Sequence, residues 1–165
     1  MHCNIFATMR NWFILFSLLL LNACMPSGVF ENNTSFKHNK WSKNNKPIFK
    51  FNITDTLSNY KLFLYLRHTD AYPYSNIWLQ INTKMPQGIQ AITSKVEVPL
   101  ADAEGKWFAR GMNEIREHKM PLNNNGSVHF SSAGMYEIQL EQIMRLDPLP
   151  EVMSVGIILE KIVQP

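Results

Sequence analysis

At 165 residues, with 45% hydrophobic and 12% aromatic side chains and only 18% charged ones, the chain is sized for one folded domain, and persistent disorder is excluded. The net charge is +3 and the sixteen Lys and Arg residues are spread without a run, which excludes the basic footprint of a nucleic-acid binder. Both cysteines, Cys3 and Cys24, lie near the N-terminus, so no disulfide framework is expected in the remainder.

Within residues 1 to 10 Arg10 is the sole formal positive charge, and Trp12 to Leu21 form an apolar run broken only by Ser17. This is the layout of an export signal. A run of about 10 residues covers roughly half of a 30 Å hydrocarbon core, too little for a permanent span, so cleavage is predicted. The run ends at Leu21-Asn22-Ala23-Cys24, which resembles the bacterial lipobox, with Asn22 standing where that motif prefers a smaller residue. The resemblance implies a signal peptide over 1–23, and a Cys24 that carries diacylglycerol through a thioether and a further acyl chain, such as palmitate, on its new N-terminus. Such an anchor is effectively permanent. An ordinary secretory signal with a chance cysteine is the alternative. This covalent lipid is the sole prosthetic group expected.

Residues 24–46, rich in Asn, Ser and Lys with no apolar period, read as a lipidated terminus and flexible tether. A coil of about 20 residues reaches roughly 25 Å. Phe36 and Trp41 are out of place in a tether, and would dock on the domain or form a short edge strand.

Over 47–165 short β-type runs follow: Ile48–Thr54, Tyr60–His68, Ile77–Thr83, Ile89–Leu100, Val128–Phe130, Tyr136–Met144 and Met153–Val163. Several alternate at period two, as in Phe49, Phe51, Ile53 and in Leu62, Leu64, Leu66, so one face of each is buried. Turn residues at 55–59, 70–73, 86–88, 123–126 and 132–134 separate them. The fold class is all-β, an antiparallel β-sandwich of jelly-roll-like spacing. The one helical candidate, Trp107–Lys119, is limited by Gly105 and Gly111 to a turn or two around Asn113–His118.

Four segments together are more specific: Tyr60-Lys-Leu-Phe-Leu-Tyr-Leu-Arg67; Tyr72-Pro-Tyr-Ser-Asn-Ile-Trp-Leu79; Gly105-Lys-Trp-Phe-Ala-Arg-Gly111 leading into Asn113-Glu-Ile-Arg-Glu117; and Gly134-Met-Tyr-Glu-Ile-Gln-Leu-Glu-Gln-Ile-Met-Arg145 followed by Val155-Gly156. In this order, behind a lipobox, they resemble the gliding motility lipoprotein GldH family of Bacteroidota. The compact stretch Leu146–Val152, with two prolines, departs from the pattern. The resemblance implies a non-catalytic lipoprotein of the cell envelope, working alongside the type IX secretion machinery with other envelope proteins as partners. Cys24 is the one functional residue it transfers. Met25 stands where an inner-membrane retention aspartate could be, and Met25-Pro-Ser-Gly28 lacks the acidic run of surface-exported lipoproteins, so the periplasmic face of the outer membrane is expected.

The common signatures of nucleotide, metal and acyl-transfer chemistry are missing from the sequence, so an enzyme is disfavoured. Glu114 and His118 at i,i+4 could share a helical face as a metal pair, but two ligands do not make a site and no metal is expected. Glu114 and Glu117 have the composition of a glycosidase pair, although such spacing is common on solvated surfaces. Tyr72, Tyr74, Trp78 and Trp107 are candidates for an aromatic binding surface, which would make the chain a glycan- or peptidoglycan-binding module, with core and loop packing as the competing role. Asp55-Thr56-Leu57 resembles the O-glycosylation acceptor of Bacteroidota, which makes Thr56 a candidate site; alternatively Asp55 closes an Asx-turn.

Overall fold

The computed structural model describes residues 28–88, 91–123 and 125–162, so the expected export signal over 1–23 and the expected lipidation site Cys24 lie outside the described residues. Among the described residues twelve strands follow in chain order: β1 Gly28–Ser35, β2 Lys40–Trp41, β3 Ile48–Ile53, β4 Asn59–Thr69, β5 Asn76–Lys84, β6 Ile92–Pro99, β7 Arg110–Met112, β8 Ile115–Pro121, β9 Val128–His129, β10 Gly134–Gln142, β11 Leu149–Pro150 and β12 Val152–Lys161. A six-stranded sheet runs β1-β12-β4-β8-β7, with β9 also pairing β4; a four-stranded sheet runs β3-β10-β5-β6; and β2 pairs β11. All pairings are antiparallel.

Period two explains why these segments are strands. In β3, Phe49, Phe51 and Ile53 are buried while Ile48, Lys50 and Asn52 are exposed. Leu64, Leu66, Val155, Ile157 and Leu159 from the larger sheet meet Phe49, Phe51, Leu79, Ile138 and Leu140 from the smaller one in a single core. Apolar faces of both sheets are thereby removed from water, which is the main term holding an antiparallel β-sandwich together.

Two expectations are corrected. From Gly28 onward the expected tether is part of the domain: β1 pairs with β12 from Gly28↔Glu160 to Ser35↔Ser154. Its sequence shows no strand period because it is an edge strand, held by the backbone ladder, from which Phe30 packs against the core and meets Phe51 at 5.4 Å. Gly156 permits the close approach, since a Cβ there would lie 2.7 Å from the Asn33 Cβ and in collision with the Asn32 carbonyl oxygen. Phe36 and Trp41 dock on the domain, stacked at 5.0 Å and both buried, and Trp41 also lies in the short strand β2, so both readings of this pair are met. Trp41 pairs with Leu149, and its indole N–H donates to the Asn45 carbonyl (2.7 Å).

The second correction concerns Trp107–Lys119, which contains no helical turn. Residues 110–121 form the β7–β8 hairpin, with Met112 paired to Ile115 around Asn113-Glu114. Asn113 turns the chain at φ 57°, in the left-handed region that asparagine tolerates.

Candidate functional site

The outer face of the larger sheet carries a groove. Alternation along β4 and β8 turns Leu66, His68 and His118 into the core, and the intervening Tyr65, Arg67, Glu117 and Lys119 outward. Tyr65, Glu117, Lys119, Arg110, Glu31, Ile158 and the half-exposed ring of Phe108 line a hollow of about 400 Å³. It continues, through Arg110 and Glu117, into a second of about 350 Å³ beside Arg67, Met112 and Ile115. Cross-strand register sets Glu117 opposite both Arg67 and Arg110, so a carboxylate stands between two guanidinium groups in one row across three strands.

The electrostatics of that row are unbalanced. Tyr65 donates its hydroxyl to Glu117 (2.9 Å), and burial followed by this hydrogen bond raises the phenol's pKa, keeping it a neutral donor. Lys119 is committed to Glu160 at 2.5 Å and lies over the Phe63 ring. Among the described residues neither Arg67 nor Arg110 reaches a carboxylate within ion-pair distance. The Arg67 Nε is buried without a hydrogen-bond partner. Two uncommitted guanidinium forks beside an exposed aromatic ring suit an anionic or hydrogen-bonding ligand.

Directly behind the row lies a buried aromatic and histidine cluster. His68 and His118 are fully buried with their Nε2 atoms 2.8 Å apart. His68 Nδ1–H donates to the Thr69 carbonyl (2.7 Å), which can only accept; His68 Nε2 must therefore accept the Nε2–H of His118. That leaves His118 Nδ1 as a bare acceptor with no partner. Burial first, then the neighbouring histidine, depresses the His118 pKa to about 4, and burial lowers that of His68. Both rings are neutral at pH 7.

Three of the four candidate aromatics converge on this cluster. Trp107 and Tyr72 lie 4.6 and 4.9 Å from the His68 ring, and Tyr74 packs edge-on to Tyr72 at 5.9 Å. Tyr72 is buried and its hydroxyl donates to the Asn76 carbonyl (3.0 Å), so its face is not offered to a ligand. Trp78 stands apart, 39% exposed on the outside of the smaller sheet. That face is a self-satisfied polar lattice: Lys50 and Lys84 share Glu137, Lys46 pairs with Glu141, and Asn82 bonds Gln139 and Thr93. The four aromatics do not form one platform.

The carboxylate and metal candidates also separate. Glu114 sits exposed in the β7–β8 turn, His118 points into the core and Glu117 outward, so neither Glu114–His118 nor Glu114–Glu117 shares a face as a helix would require. Among the described residues no three His, Cys, Asp or Glu side chains group as a metal site. Thr56 is half-buried in an Asx-turn whose Asp55 Oδ1 accepts the N–H groups of Leu57 (2.9 Å) and Ser58 (3.2 Å). Lys161 and then Ser58 hold the Asp55 carboxylate well below the usual range, which accounts for this aspartate through the turn. Sequence reasoning missed Arg67, Arg110, Tyr65 and Phe108. The signal available was the polar half of the β4 alternation, Tyr65 and Arg67 between Leu64, Leu66 and His68.

Residues 28–159 match the family described as GldH lipoprotein. A gliding motility lipoprotein GldH homolog of Christiangramia forsetii is 27% identical over 154 residues, covering 89% of this chain and 92% of that one. The gliding motility lipoprotein GldH of Flavobacterium johnsoniae is 26% identical over 132 residues, covering 80% of this chain and 79% of that one. Among solved structures, a carbohydrate-binding module, CBM28, specific for non-crystalline cellulose overlays with a TM-score of 0.45 at 10% identity, covering 77% of this chain and 69% of that one.

Proposed function

Because the chain belongs to the GldH lipoprotein family, we propose that it is a non-catalytic component of the gliding motility machinery, associated with type IX secretion and anchored through lipid on Cys24 to the periplasmic face of the outer membrane. The observation that carries this reading is the family match itself, which spans the sandwich from β1 to the eighth residue of β12. The groove supports it, because Arg67 and Arg110 are two uncommitted cations available to an envelope partner. Pull-down from crosslinked, detergent-solubilised envelopes tests the reading. The wild-type chain recovers other envelope proteins, and the Arg67→Glu/Arg110→Glu pair loses them. Recovery of the wild-type chain alone contradicts it. Proteinase treatment of whole cells leaves the domain intact if it faces the periplasm, and removes it otherwise.

The second reading, a glycan- or peptidoglycan-binding module, is favoured by one observation: the groove sets the Tyr65 hydroxyl, the Glu117 carboxylate and the Phe108 ring in one hollow, a lining that hydrogen-bonds and stacks on a sugar. Calorimetry with envelope polysaccharides decides it, and no heat with no change in tryptophan fluorescence removes it.

A further inference from the structure

β1 begins at Gly28, four residues beyond Cys24. Four Cα steps fully extended reach at most about 14 Å, well short of what a tether running to residue 46 would have allowed. The anchored end of the sandwich is therefore defined by what surrounds Gly28. Gly28 pairs with Glu160 and Glu160 with Lys61, so the start of β1, the end of β12 and the start of β4 share one end of the larger sheet. The turn that feeds β4, Asp55 to Ser58, lies at that same end and is fastened to β12 through Asp55 and Lys161. At about 4.8 Å per strand it stands roughly 10 Å across the sheet from the point where the chain leaves for Cys24.

The tip of this turn is Leu57, 94% exposed. It is also stiffly presented: the Asp55 carboxylate accepts the amides of Leu57 and Ser58, Ser58 donates its hydroxyl to the same carboxylate (2.8 Å), and Tyr60 donates its hydroxyl to the Asp55 carbonyl (2.7 Å). Little ordering entropy remains to be lost on insertion, and the only carboxylate in the turn is neutralised by Lys161. Exposed Val29 lies one residue into β1, and exposed Met135, paired with Asn52 near the end of β3, stands at the same end of the smaller sheet.

We propose that this end of the sandwich, led by Leu57, rests against the lipid surface that holds the anchor, with Leu57 seated at the headgroup and acyl boundary. The proposal rests on lipidation of Cys24. A covalent anchor within about 14 Å of Gly28 raises the effective concentration of lipid at the turn, so one rigid apolar tip suffices where a free domain would need more. The same orientation puts Arg67, six residues up β4 from Lys61, about 20 Å from the membrane end.

The test uses the full lipoprotein purified from membranes and reconstituted in phosphatidylethanolamine/phosphatidylglycerol vesicles. Leu57→Cys and, as reference at an exposed position in the loop after β10, Leu146→Cys are each labelled with an environment-sensitive fluorophore; Cys24 is occupied by lipid and cannot react. The expected result is a blue shift and several-fold weaker iodide quenching at 57 than at 146, together with quenching at 57 by headgroup-labelled lipid. Equal iodide quenching at the two positions overturns the orientation. Intact mass separates the two failures: a chain with no lipid on Cys24 overturns the anchor reading and this proposal with it, whereas a lipidated chain with an aqueous Leu57 overturns the orientation alone. A glycan on Thr56 would hold Leu57 off the bilayer and also overturns it.

Discussion

Acidification should weaken the fold through one histidine pair. His118 titrates near 6.5 in the unfolded chain, and burial first, then the neighbouring His68, lowers it to about 4 in the folded one, where a proton on its Nδ1 meets no acceptor. A base whose folded pKa is depressed binds fewer protons folded than unfolded. Stability from this group is thus complete above pH 6.5, falls as pH drops through that value, and levels off below about pH 4. The loss is about 1–2 kcal/mol by pH 5.5 and about 2–3 kcal/mol by pH 4.5, and His68, shifted the same way, adds to it. His118→Gln keeps an amide N–H for His68 Nε2 and titrates nothing. Urea unfolding followed by tryptophan fluorescence at pH 7.5, 5.5 and 4.5 should show the wild type losing those amounts relative to the variant. Comparing the two cancels the shared carboxylates. Parallel stability curves for both proteins across this range would refute the argument.

Gly156→Ala places a methyl group against the Asn32 and Asn33 backbone, so β1 should detach at a cost of about 1–3 kcal/mol, read as lost hydrogen-exchange protection over Gly28–Ser35; unchanged protection would refute the close approach. Trp41→Ala empties a fully buried site beneath Phe36 and Leu149 and should cost about 3–5 kcal/mol in denaturant unfolding, whereas a loss under about 1 kcal/mol would return the segment to a tether. Glu137→Gln breaks two solvent-facing pairs on the smaller sheet; it should cost under about 1 kcal/mol and leave colony spreading intact, and abolished spreading would move the functional surface to that face.

Which parts of this were readable in advance follows from side-chain alternation. β3, β4 and β10 were legible because one face of each is buried, so Phe49, Phe51, Ile53 and Tyr136, Ile138, Leu140 recur at period two. β1 was not, since an edge strand held by backbone hydrogen bonds has little need of a pattern, and of its eight residues GVFENNTS Phe30 is the one packed on the core. The β7–β8 hairpin was misread because charges crowd a short segment, and Asn113 as a turn residue outweighs the spacing of Glu114, Glu117 and His118. Arg67 and Arg110 are distant in sequence and meet only because both strands pair with β8 at Glu117, a register that no local pattern encodes.

The central claim, that the chain works in gliding from a lipid anchor on Cys24, is tested most directly by complementing a deletion strain with wild-type and Cys24→Ala chains and scoring membrane fractionation together with colony spreading. The account predicts that the wild type is membrane-bound and restores spreading, while the variant is released from the membrane and does not. Full spreading from a soluble Cys24→Ala chain would contradict it.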